Sequence, residues 1–281
     1  MSYPRRLYWI SGALVILMLG FVPTGGAAES TKLIPVTLQL KWTHQFQFAG
    51  YYAAVEEGYY RDAGLEVNLV AAQPGMDSVK EVMAGRAEFG VGTSELLLLR
   101  SRGKPVVLLA TIFQHSAQVL LTKQSAQISD LQALHDQKIM LEPQSAELLA
   151  YFKYEGLDPD KLRIVPHTFE VADLLADQVT AISAYGTDEP FQMEAAGVDY
   201  QVFMPRAGGI DFYGDNLFTT EEMVKQHPER VRRFREASLR GWEYALKHPE
   251  EIIEVILSDY DTPKNRAALE FEAEHTIPLM H

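Results

Sequence analysis

The chain has 281 residues, of which 47% are hydrophobic and 22% are charged, and it contains no cysteine. Such a composition is typical of a globular protein long enough for two lobes, and it argues against intrinsic disorder. The lack of cysteine excludes disulfides, thiolate metal ligands and a lipid-modified N-terminal cysteine. A formal net charge of −13 disfavours nucleic acid and anionic membranes as partners.

The N-terminal segment has the features of a secretory signal. Arg5 and Arg6 precede a mostly apolar stretch over residues 7–21, and Pro23 separates that stretch from Ala28. Because the stretch is short for a full bilayer span, cleavage near Ala28 is preferred over an uncleaved anchor helix. We therefore predict a signal peptide over residues 1–28 and an exported, periplasmic mature chain.

Strand-like and helix-like segments alternate through the next part of the chain. Alternating apolar residues predict a strand over residues 36–40, and a helix over 48–62 follows the loop around Trp42. Further strands are expected over residues 65–70, 89–92 and 105–112, with short helices between them. Repeated strand–helix–strand units of this kind favour a mostly parallel sheet.

A second set of alternating segments follows. Helices are predicted over residues 131–135, 146–154, 171–177 and 190–196, and strands over 138–141, 162–165, 180–184 and 200–204. From Thr219 onward the pattern is helical.

The two sets predict a two-lobed α/β fold. The chain is expected to cross between the lobes near His115 and near Gly208. The first lobe then comprises residues 29–116 and 208–281, and the second comprises residues 117–207. Ligands of open α/β sheets bind beyond the carboxyl ends of the strands, so the expected site is the cleft between the lobes. Because the sequence stops directly after an amphipathic stretch, we expect it to be truncated.

Five aromatic residues and a histidine lie together where the first strand meets its helix, over residues 41–52. A loop at the carboxyl end of a strand presents side chains to a cleft, and aromatic faces stack on planar rings. Trp42 and His44 are interpreted as cleft residues, and Phe46 and Tyr52 as core residues beneath the helix. In each case the opposite assignment stays open.

Three further segments carry candidate ligand-binding residues. Glu189 directly precedes a proline at a predicted helix N-terminus. There it could accept a hydrogen bond from an exocyclic amino group, or it could cap the helix. Tyr213 and Asp215 follow the second crossing, where Asp215 could instead order the turn. His115, at the first crossing, is interpreted equally well as structural or as ligand-binding.

Motifs for catalysis and for metal binding are absent from the sequence. It has no glycine-rich phosphate loop, no G-x-S-x-G and no H-E-x-x-H, and its eight histidines lack metal-ligand spacing. We therefore expect a binding protein that uses neither a cofactor nor a metal and performs no chemistry on its ligand.

Several of these segments, in this order, resemble the thiamine-pyrimidine-precursor family of ABC transporter substrate-binding proteins, which have the type II periplasmic-binding fold. The resemblance rests on residues 41–54, 57–60, 64–67, 89–96, 112–116 and 212–218. It implies a formylaminopyrimidine or hydroxymethylpyrimidine-like ligand in the interlobe cleft. The predicted ligand-binding residues are Trp42, His44, Tyr51, Thr93, Ser94, His115, Tyr185, Glu189, Tyr213 and Asp215.

The resemblance implies that the chain is a monomeric solute receptor that delivers its ligand to an ABC permease in the membrane. Two alternatives remain open. The chain could be the periplasmic sensor domain of a histidine kinase or diguanylate cyclase, with a signalling module downstream. It could also be a pyrimidine synthase, although the cysteine-rich iron site of such enzymes has no counterpart here. An alkanesulfonate, nitrate or riboflavin-like ligand is less favoured, with Lys41 and Arg206 as the nearby cations.

Overall fold

The computed structural model describes residues 32–280, which form ten β-strands and eleven α-helices. The strands are β1 (Ile34–Gln39), β2 (Leu65–Val70), β3 (Phe89–Gly92), β4 (Val106–Phe113), β5 (Gln118–Lys123), β6 (Lys138–Leu141), β7 (Arg163–Pro166), β8 (Ala181–Tyr185), β9 (Tyr200–Phe203) and β10 (Gly214–Thr220). The helices are α1 (Ala49–Glu56), α2 (Tyr59–Asp62), α3 (Ser78–Met83), α4 (Glu95–Ser101), α5 (Ala146–Tyr154), α6 (Ala172–Leu175), α7 (Glu189–Ala195), α8 (Glu221–Gln226), α9 (Pro228–Ala245), α10 (Pro249–Asp259) and α11 (Arg266–Thr276).

The predicted signal peptide, residues 1–28, lies outside the described residues. Within residues 32–280, no helix combines the length and the apolar character that a membrane span requires.

The strands form two five-stranded mixed sheets, and each sheet is the centre of one lobe. The strand order is β2-β1-β3-β10-β4 in the first lobe and β7-β6-β8-β5-β9 in the second. In each sheet four strands run in the same direction and one runs antiparallel to both of its neighbours. The antiparallel strand is β10 in the first lobe and β5 in the second. The predicted two-lobed, mostly parallel α/β fold is confirmed.

The sequence analysis did not predict the two antiparallel strands. Each follows a crossing between the lobes: β5 comes after residues 114–117, and β10 comes after residues 204–213. β5 pairs with β8 and β9, and β10 pairs with β3 and β4. A search for alternating strands and helices overlooks both, because neither strand has an α-helix directly before it.

The helix predicted over residues 48–62 is interrupted in the structure. A 3-10 turn over Phe46–Phe48 leads into α1, and α1 and α2 are separated at Gly58. Gly58 has a left-handed backbone with a φ of 70°, which glycine adopts without a steric penalty. The helical character is confirmed, and the predicted continuity is wrong.

The core of the first lobe lies between its sheet and helices α1 and α9. The rings of Phe89 and Phe234 stack with their centroids 3.9 Å apart. Helices α1 and α9 approach so closely that a Cβ atom on Gly241 would lie 2.0 Å from the carbonyl oxygen of Gly50. This packing holds α1, and with it the loop between β1 and α1, firmly on the sheet.

The second lobe has an apolar core on each face of its sheet. Ile139 and Met140 of β6 belong to opposite cores, as successive residues of a strand do. Phe152 of α5 packs on one face and Met193 of α7 on the other. Because helices cover both faces, the carboxyl ends of the strands are where the second lobe can present polar groups to a ligand.

Candidate ligand-binding cleft

The carboxyl ends of β1, β6 and β8 meet at one small cavity between the lobes. Its volume is about 10 Å³, roughly the space that one water molecule needs. The lobes are therefore closed on each other at this point. The lining residues are Lys41, Trp42, Gln45, Gln47, Glu142, Ser183, Ala184, Tyr185, Asp188 and Glu189.

A continuous chain of polar contacts crosses the cavity from one lobe to the other. Gln47 Nε2 donates to Asp215 Oδ2 at 2.7 Å, and the Tyr185 hydroxyl donates to Asp215 Oδ1 at 2.8 Å. Lys41 Nζ donates to the Tyr185 hydroxyl oxygen at 2.8 Å and lies 3.6 Å from Glu142 Oε2. Since Lys41 and Asp215 belong to the first lobe and Tyr185 and Glu142 to the second, these contacts join the lobes.

Burial is the main cause of the pKa shifts of Tyr185 and Asp215 in this chain of contacts. It raises the pKa of the Tyr185 phenol well above the ordinary value, and the neighbouring Asp215 raises it further. Burial also raises the pKa of Asp215, whereas Lys41 and the hydrogen bonds from Gln47 and Tyr185 lower it. The phenol therefore keeps its proton, which lets it donate to the carboxylate and accept from the ammonium at the same time.

Trp42 forms part of the cavity wall and packs against two rings of the second lobe. Its ring centroid lies 3.7 Å from that of Phe169, with the planes inclined by 31°. His167 approaches the Trp42 ring edge-on, with the centroids 5.4 Å apart. The Trp42 indole therefore borders the polar cavity and also packs against aromatic rings of the opposite lobe.

The segment that leads into α11 reaches the cavity from the first lobe. Lys264 Nζ forms an ion pair with Asp188 Oδ1, and the two side chains are 10% and 5% exposed. Glu189 is buried beside them, and its Oε2 accepts a hydrogen bond from the backbone N–H of Tyr185 at 2.7 Å. Burial raises the pKa of Glu189 well above its ordinary value, Asp188 raises it further, and Lys264 lowers it. The balance favours a neutral carboxylic acid at Glu189.

Glu272 of α11 holds the loop that carries the cavity residues of the first lobe. Its two carboxyl oxygens accept hydrogen bonds from the backbone N–H groups of Phe46 and Gln47, each at 2.8 Å. Burial raises the pKa of Glu272 to about 8; Asp188 contributes to the rise, and Lys264 opposes it. The position of Gln47 in the cavity therefore depends on a helix near the other end of the chain.

A second contact between the lobes, which we call the seam, joins the end of β3 to the start of α5. Thr93 Oγ1 donates to the Gln144 carbonyl oxygen at 2.9 Å, and the Thr93 N–H donates to Gln144 Oε1 at 3.1 Å. Ser94 Oγ donates to Glu147 Oε1 at 2.7 Å. Thr93 and Ser94, both predicted to bind the ligand, here bind the opposite lobe.

His44 and Tyr51 lie in the aromatic core of the first lobe and not in the cavity wall. His44 Nδ1 is 3.0 Å from the Tyr52 hydroxyl, and burial lowers the pKa of His44, which favours the neutral imidazole. Tyr51 packs edge-on against Trp242, with the ring centroids 5.7 Å apart. The structure gives both residues a packing role, and their contact with a ligand stays a prediction.

His115 and Tyr213 also lie outside the cavity wall. His115 Nδ1 is 2.9 Å from Asp211 Oδ2, so this pair ties the two crossing segments together. Tyr213 is 57% exposed and lines a separate apolar groove with Leu97 and Leu108. Neither side chain reaches the cavity in this closed arrangement, and a ligand contact for either stays a prediction.

The cavity contains polar groups that the sequence analysis did not assign to it. Glu142 Oε1 accepts a hydrogen bond from Gln118 Nε2 at 2.8 Å, and the Glu142 N–H donates to Ser183 Oγ at 2.8 Å. Glu142 directly follows β6, and its place at the end of a predicted parallel strand is the signal that could have found it. Within residues 32–280, no group of three or more His, Asp or Glu side chains is placed to hold a metal ion.

Two proteins that are named for their ligands are similar in sequence to most of this chain. The riboflavin-binding protein RibY from Chloroflexus aurantiacus is 29% identical over 84% of this chain and 70% of its own length. A formylaminopyrimidine-binding protein from Halalkalibacterium halodurans is 24% identical over 96% of this chain and 84% of its own length. Both are named for the binding of a heteroaromatic compound.

A solved structure has the same architecture. The periplasmic aliphatic sulphonate binding protein SsuA from Escherichia coli aligns with a TM-score of 0.64 at 12% identity, covering 86% of this chain and 84% of that one. At this identity the likeness shows the type II periplasmic-binding fold alone. The family described as NMT1/THI5 like matches residues 45–252, well over half of the sequence. The chain therefore belongs to the NMT1/THI5-like family.

Proposed function

We propose that this protein is the solute-binding component of an ABC importer. Its ligand would be a small, flat, amino-substituted heterocycle such as a formylaminopyrimidine or a hydroxymethylpyrimidine. The observation that carries the proposal is a cavity to which both lobes contribute at the carboxyl ends of their strands, with Trp42 and Lys41 from the first lobe and Tyr185 and Glu142 from the second. A site divided between two lobes can close around a ligand and open to release it to a permease.

Two buried polar atoms of the cavity residues lack a hydrogen-bond partner, and both are acceptors. They suit a ligand that carries amino groups. Within residues 32–280, Gln45 Oε1 and Asp188 Oδ2 are buried and have no hydrogen-bond partner. An exocyclic amino group or a ring N–H would donate to such atoms, whereas a sulfonate would need free donors. Lys41, a cation in the wall, already contacts Glu142 and Tyr185. The favoured ligand is therefore neutral or cationic.

Binding of a ring requires the lobes to separate, because a cavity of about 10 Å³ is too small for one. In the proposed complex Trp42 stacks on the ring, and Tyr185, Glu189 and Asp215 hydrogen-bond its edge. Burial raises the pKa of Glu189, and in its protonated form the carboxyl group can both donate and accept, which matches a heterocycle with ring nitrogens and amino groups. Lobe closure and ligand binding are then one linked equilibrium.

The proposal includes export to the periplasm, with residues 1–28 as a cleaved signal peptide, and action as a monomer. It also holds that the chain performs no chemistry on its ligand. The similarity to two named binding proteins and the sequence without cysteine both support this view.

Calorimetric titration of the purified chain tests the proposal. We expect micromolar or tighter binding of hydroxymethylpyrimidine or formylaminopyrimidine, and no binding of an alkanesulfonate. Riboflavin is the fourth compound to titrate, because the similarity to RibY makes a larger flat ring the alternative ligand. A folded chain that binds the sulfonate and none of the heterocycles would show that the proposal is wrong.

A further inference from the structure

Trp42 and Phe169 bring two aromatic faces together from opposite lobes. Trp42 follows β1 of the first lobe, and Phe169 lies between β7 and α6 of the second. Their centroids are 3.7 Å apart, so the two faces are in direct contact. Trp42 is only 7% exposed and borders the cavity beside Glu142 and Tyr185. Two faces that meet across a cleft are the arrangement that can admit a flat ring.

The backbone of Phe169 is strained in a way that places its ring on Trp42. Its φ of 69° lies in the left-handed region, which a bulky residue rarely occupies. Such strain persists only where the surrounding structure imposes it, and it clusters at ligand-binding sites. A glycine or an asparagine would relieve the strain at Phe169, yet this chain has a large aromatic residue at this position.

His167 supports this strained turn with both of its ring nitrogens. Nδ1 accepts a hydrogen bond from the Phe169 N–H at 2.8 Å, and Nε2 donates to the Ser183 carbonyl oxygen at 2.9 Å. These two bonds require the neutral tautomer with its proton on Nε2, and burial lowers the pKa of His167 accordingly. The turn that carries Phe169 is thereby fastened to β8, the strand that also carries Tyr185.

We propose that Phe169 and Trp42 form an aromatic clamp that holds the flat ring of the ligand between the lobes. The inference rests on the proposed function, because it adds a specificity-determining residue to the same site. A ring inserted between the two faces would move their centroids from 3.7 Å to about 7 Å, or two contact distances of about 3.5 Å. The edge of the inserted ring then faces the polar groups of the cavity that Trp42 borders.

The test removes the Phe169 ring without adding strain. Phe169→Gly accepts a positive φ freely, so this variant should fold and melt at or above the temperature of Phe169→Ala. In calorimetric titrations with hydroxymethylpyrimidine and formylaminopyrimidine, we expect Phe169→Gly to bind roughly 5- to 100-fold more weakly than wild type, the range for loss of one aromatic stack on a base. Phe169→Tyr keeps a ring and should bind close to wild type.

Phe191→Ala is the matched control. Phe191 of α7 contacts Phe271 of α11 across the lobes with centroids 5.5 Å apart, and it is not part of the cavity wall. Because its loss only weakens a contact between the lobes, the affinity should fall by roughly fivefold or less, and by less than in Phe169→Gly. Wild-type affinity in Phe169→Gly, or equal losses in Phe169→Gly and Phe191→Ala, overturns the clamp while the proposed function stands. A wild-type chain that binds neither pyrimidine and does not bind riboflavin overturns the proposed function and the clamp together.

Discussion

Two of the contacts that join the lobes, the one in the cavity and the seam, use different chemistry. In the cavity the Lys41 ammonium lies between Glu142 and the Tyr185 hydroxyl, and the Lys41 and Glu142 side chains are only 4% and 5% exposed. In the seam the Thr93 hydroxyl and N–H donate to the carbonyl and amide oxygens of Gln144, and the Ser94 hydroxyl donates to the Glu147 carboxyl group. Burial raises the pKa of Glu147 there, which favours its neutral form. The cavity therefore depends on paired charges, and the seam depends on hydrogen bonds that need no charge.

This difference predicts unequal effects of mutation. A buried ion that loses its partner keeps its desolvation penalty and gains no attraction in return, so truncating one side of a buried pair is severe. A lost neutral hydrogen bond typically costs about 1 kcal/mol. We infer that the cavity decides whether the lobes close and that the seam adjusts how firmly they stay closed.

The largest effect is expected for Lys41→Met, which removes the charge and keeps a side chain of similar shape. Glu142 would then be buried without its cation, and the closed form should lose about 3–5 kcal/mol. Because an open cleft would hydrate Glu142, part of the loss should appear as opening. The measurements are the free energy of unfolding in urea and the radius of gyration from small-angle X-ray scattering, which should increase.

Lys225→Met is the matched control for Lys41→Met. Lys225 is 76% exposed and lies 3.8 Å from Glu221 on the surface of α8, where solvent screens an ion pair so that it adds little to stability. The double variant Lys41→Met, Glu142→Gln should recover most of the lost stability. If Lys41→Met matches Lys225→Met in both measurements, the cavity contact does not depend on charge.

A smaller loss is expected for Lys264→Met, which leaves Asp188 unpaired at the edge of the cavity. The neighbouring Glu189 and Glu272 have raised pKa values, so both can stay protonated and add little repulsion. We expect a loss of about 1.5–3 kcal/mol in urea unfolding, the range for a hydrogen bond to a charged group. The double variant with Asp188→Asn should restore stability, and a single variant as stable as wild type would contradict this assignment.

The next prediction concerns pH and uses the carboxyl group of Glu272. Its pKa is about 8 in the folded chain, against an ordinary value of 4.5, so the folded chain binds this proton more tightly than the unfolded chain does. The free energy of unfolding should therefore fall as pH rises from about 4.5 to about 8, with a limiting slope of about 1.4 kcal/mol per pH unit for one proton.

Glu272→Gln should reduce that slope, because the amide has no proton to lose. The measurement is urea unfolding at several pH values between 5 and 8. Glu274→Gln, at an exposed position of the same helix, should keep the wild-type slope. Equal slopes in the wild type and in Glu272→Gln would show that Glu272 does not carry the raised pKa.

The parts of the fold that local patterns determine were predictable. β2, β3, β6 and α5 have the bounds expected from hydrophobic periodicity and from the glycines that follow the helices. β5 and β10 were not predicted, because each is defined by partners on both sides in a sheet that the chain enters from the other lobe. Long-range pairing of this kind leaves no period in the local sequence.

The residues of the cleft were likewise predictable only where local sequence features mark them. Trp42 and Glu189 were predicted from a strand end and a helix start, and Tyr185 was implied by the family resemblance; the structure places all three in the cavity wall. Lys264 and Glu272 were missed, since Glu272 contacts a loop more than 200 residues away and has no local feature that distinguishes it from other acidic helix residues. Only the packing of α11 against the first lobe brings these groups to the site.

The smallest effect is expected in the seam, from Ser94→Ala. This change removes the hydroxyl that donates to Glu147 Oε1 and leaves the Thr93–Gln144 hydrogen bonds in place. The closed form should lose about 1 kcal/mol, which lowers the affinity for hydroxymethylpyrimidine by roughly fivefold if closure and binding are linked.

Ser101→Ala removes an exposed hydroxyl from α4 and is the control for Ser94→Ala; it should change neither affinity nor stability. The size of the loss separates a role in the seam from a direct ligand contact at Ser94. A loss of affinity far above fivefold, with urea stability unchanged, would mean that Ser94 binds the ligand, as first predicted from the sequence. A loss of about fivefold that disappears when Glu147 is also replaced by glutamine would assign Ser94 to lobe closure.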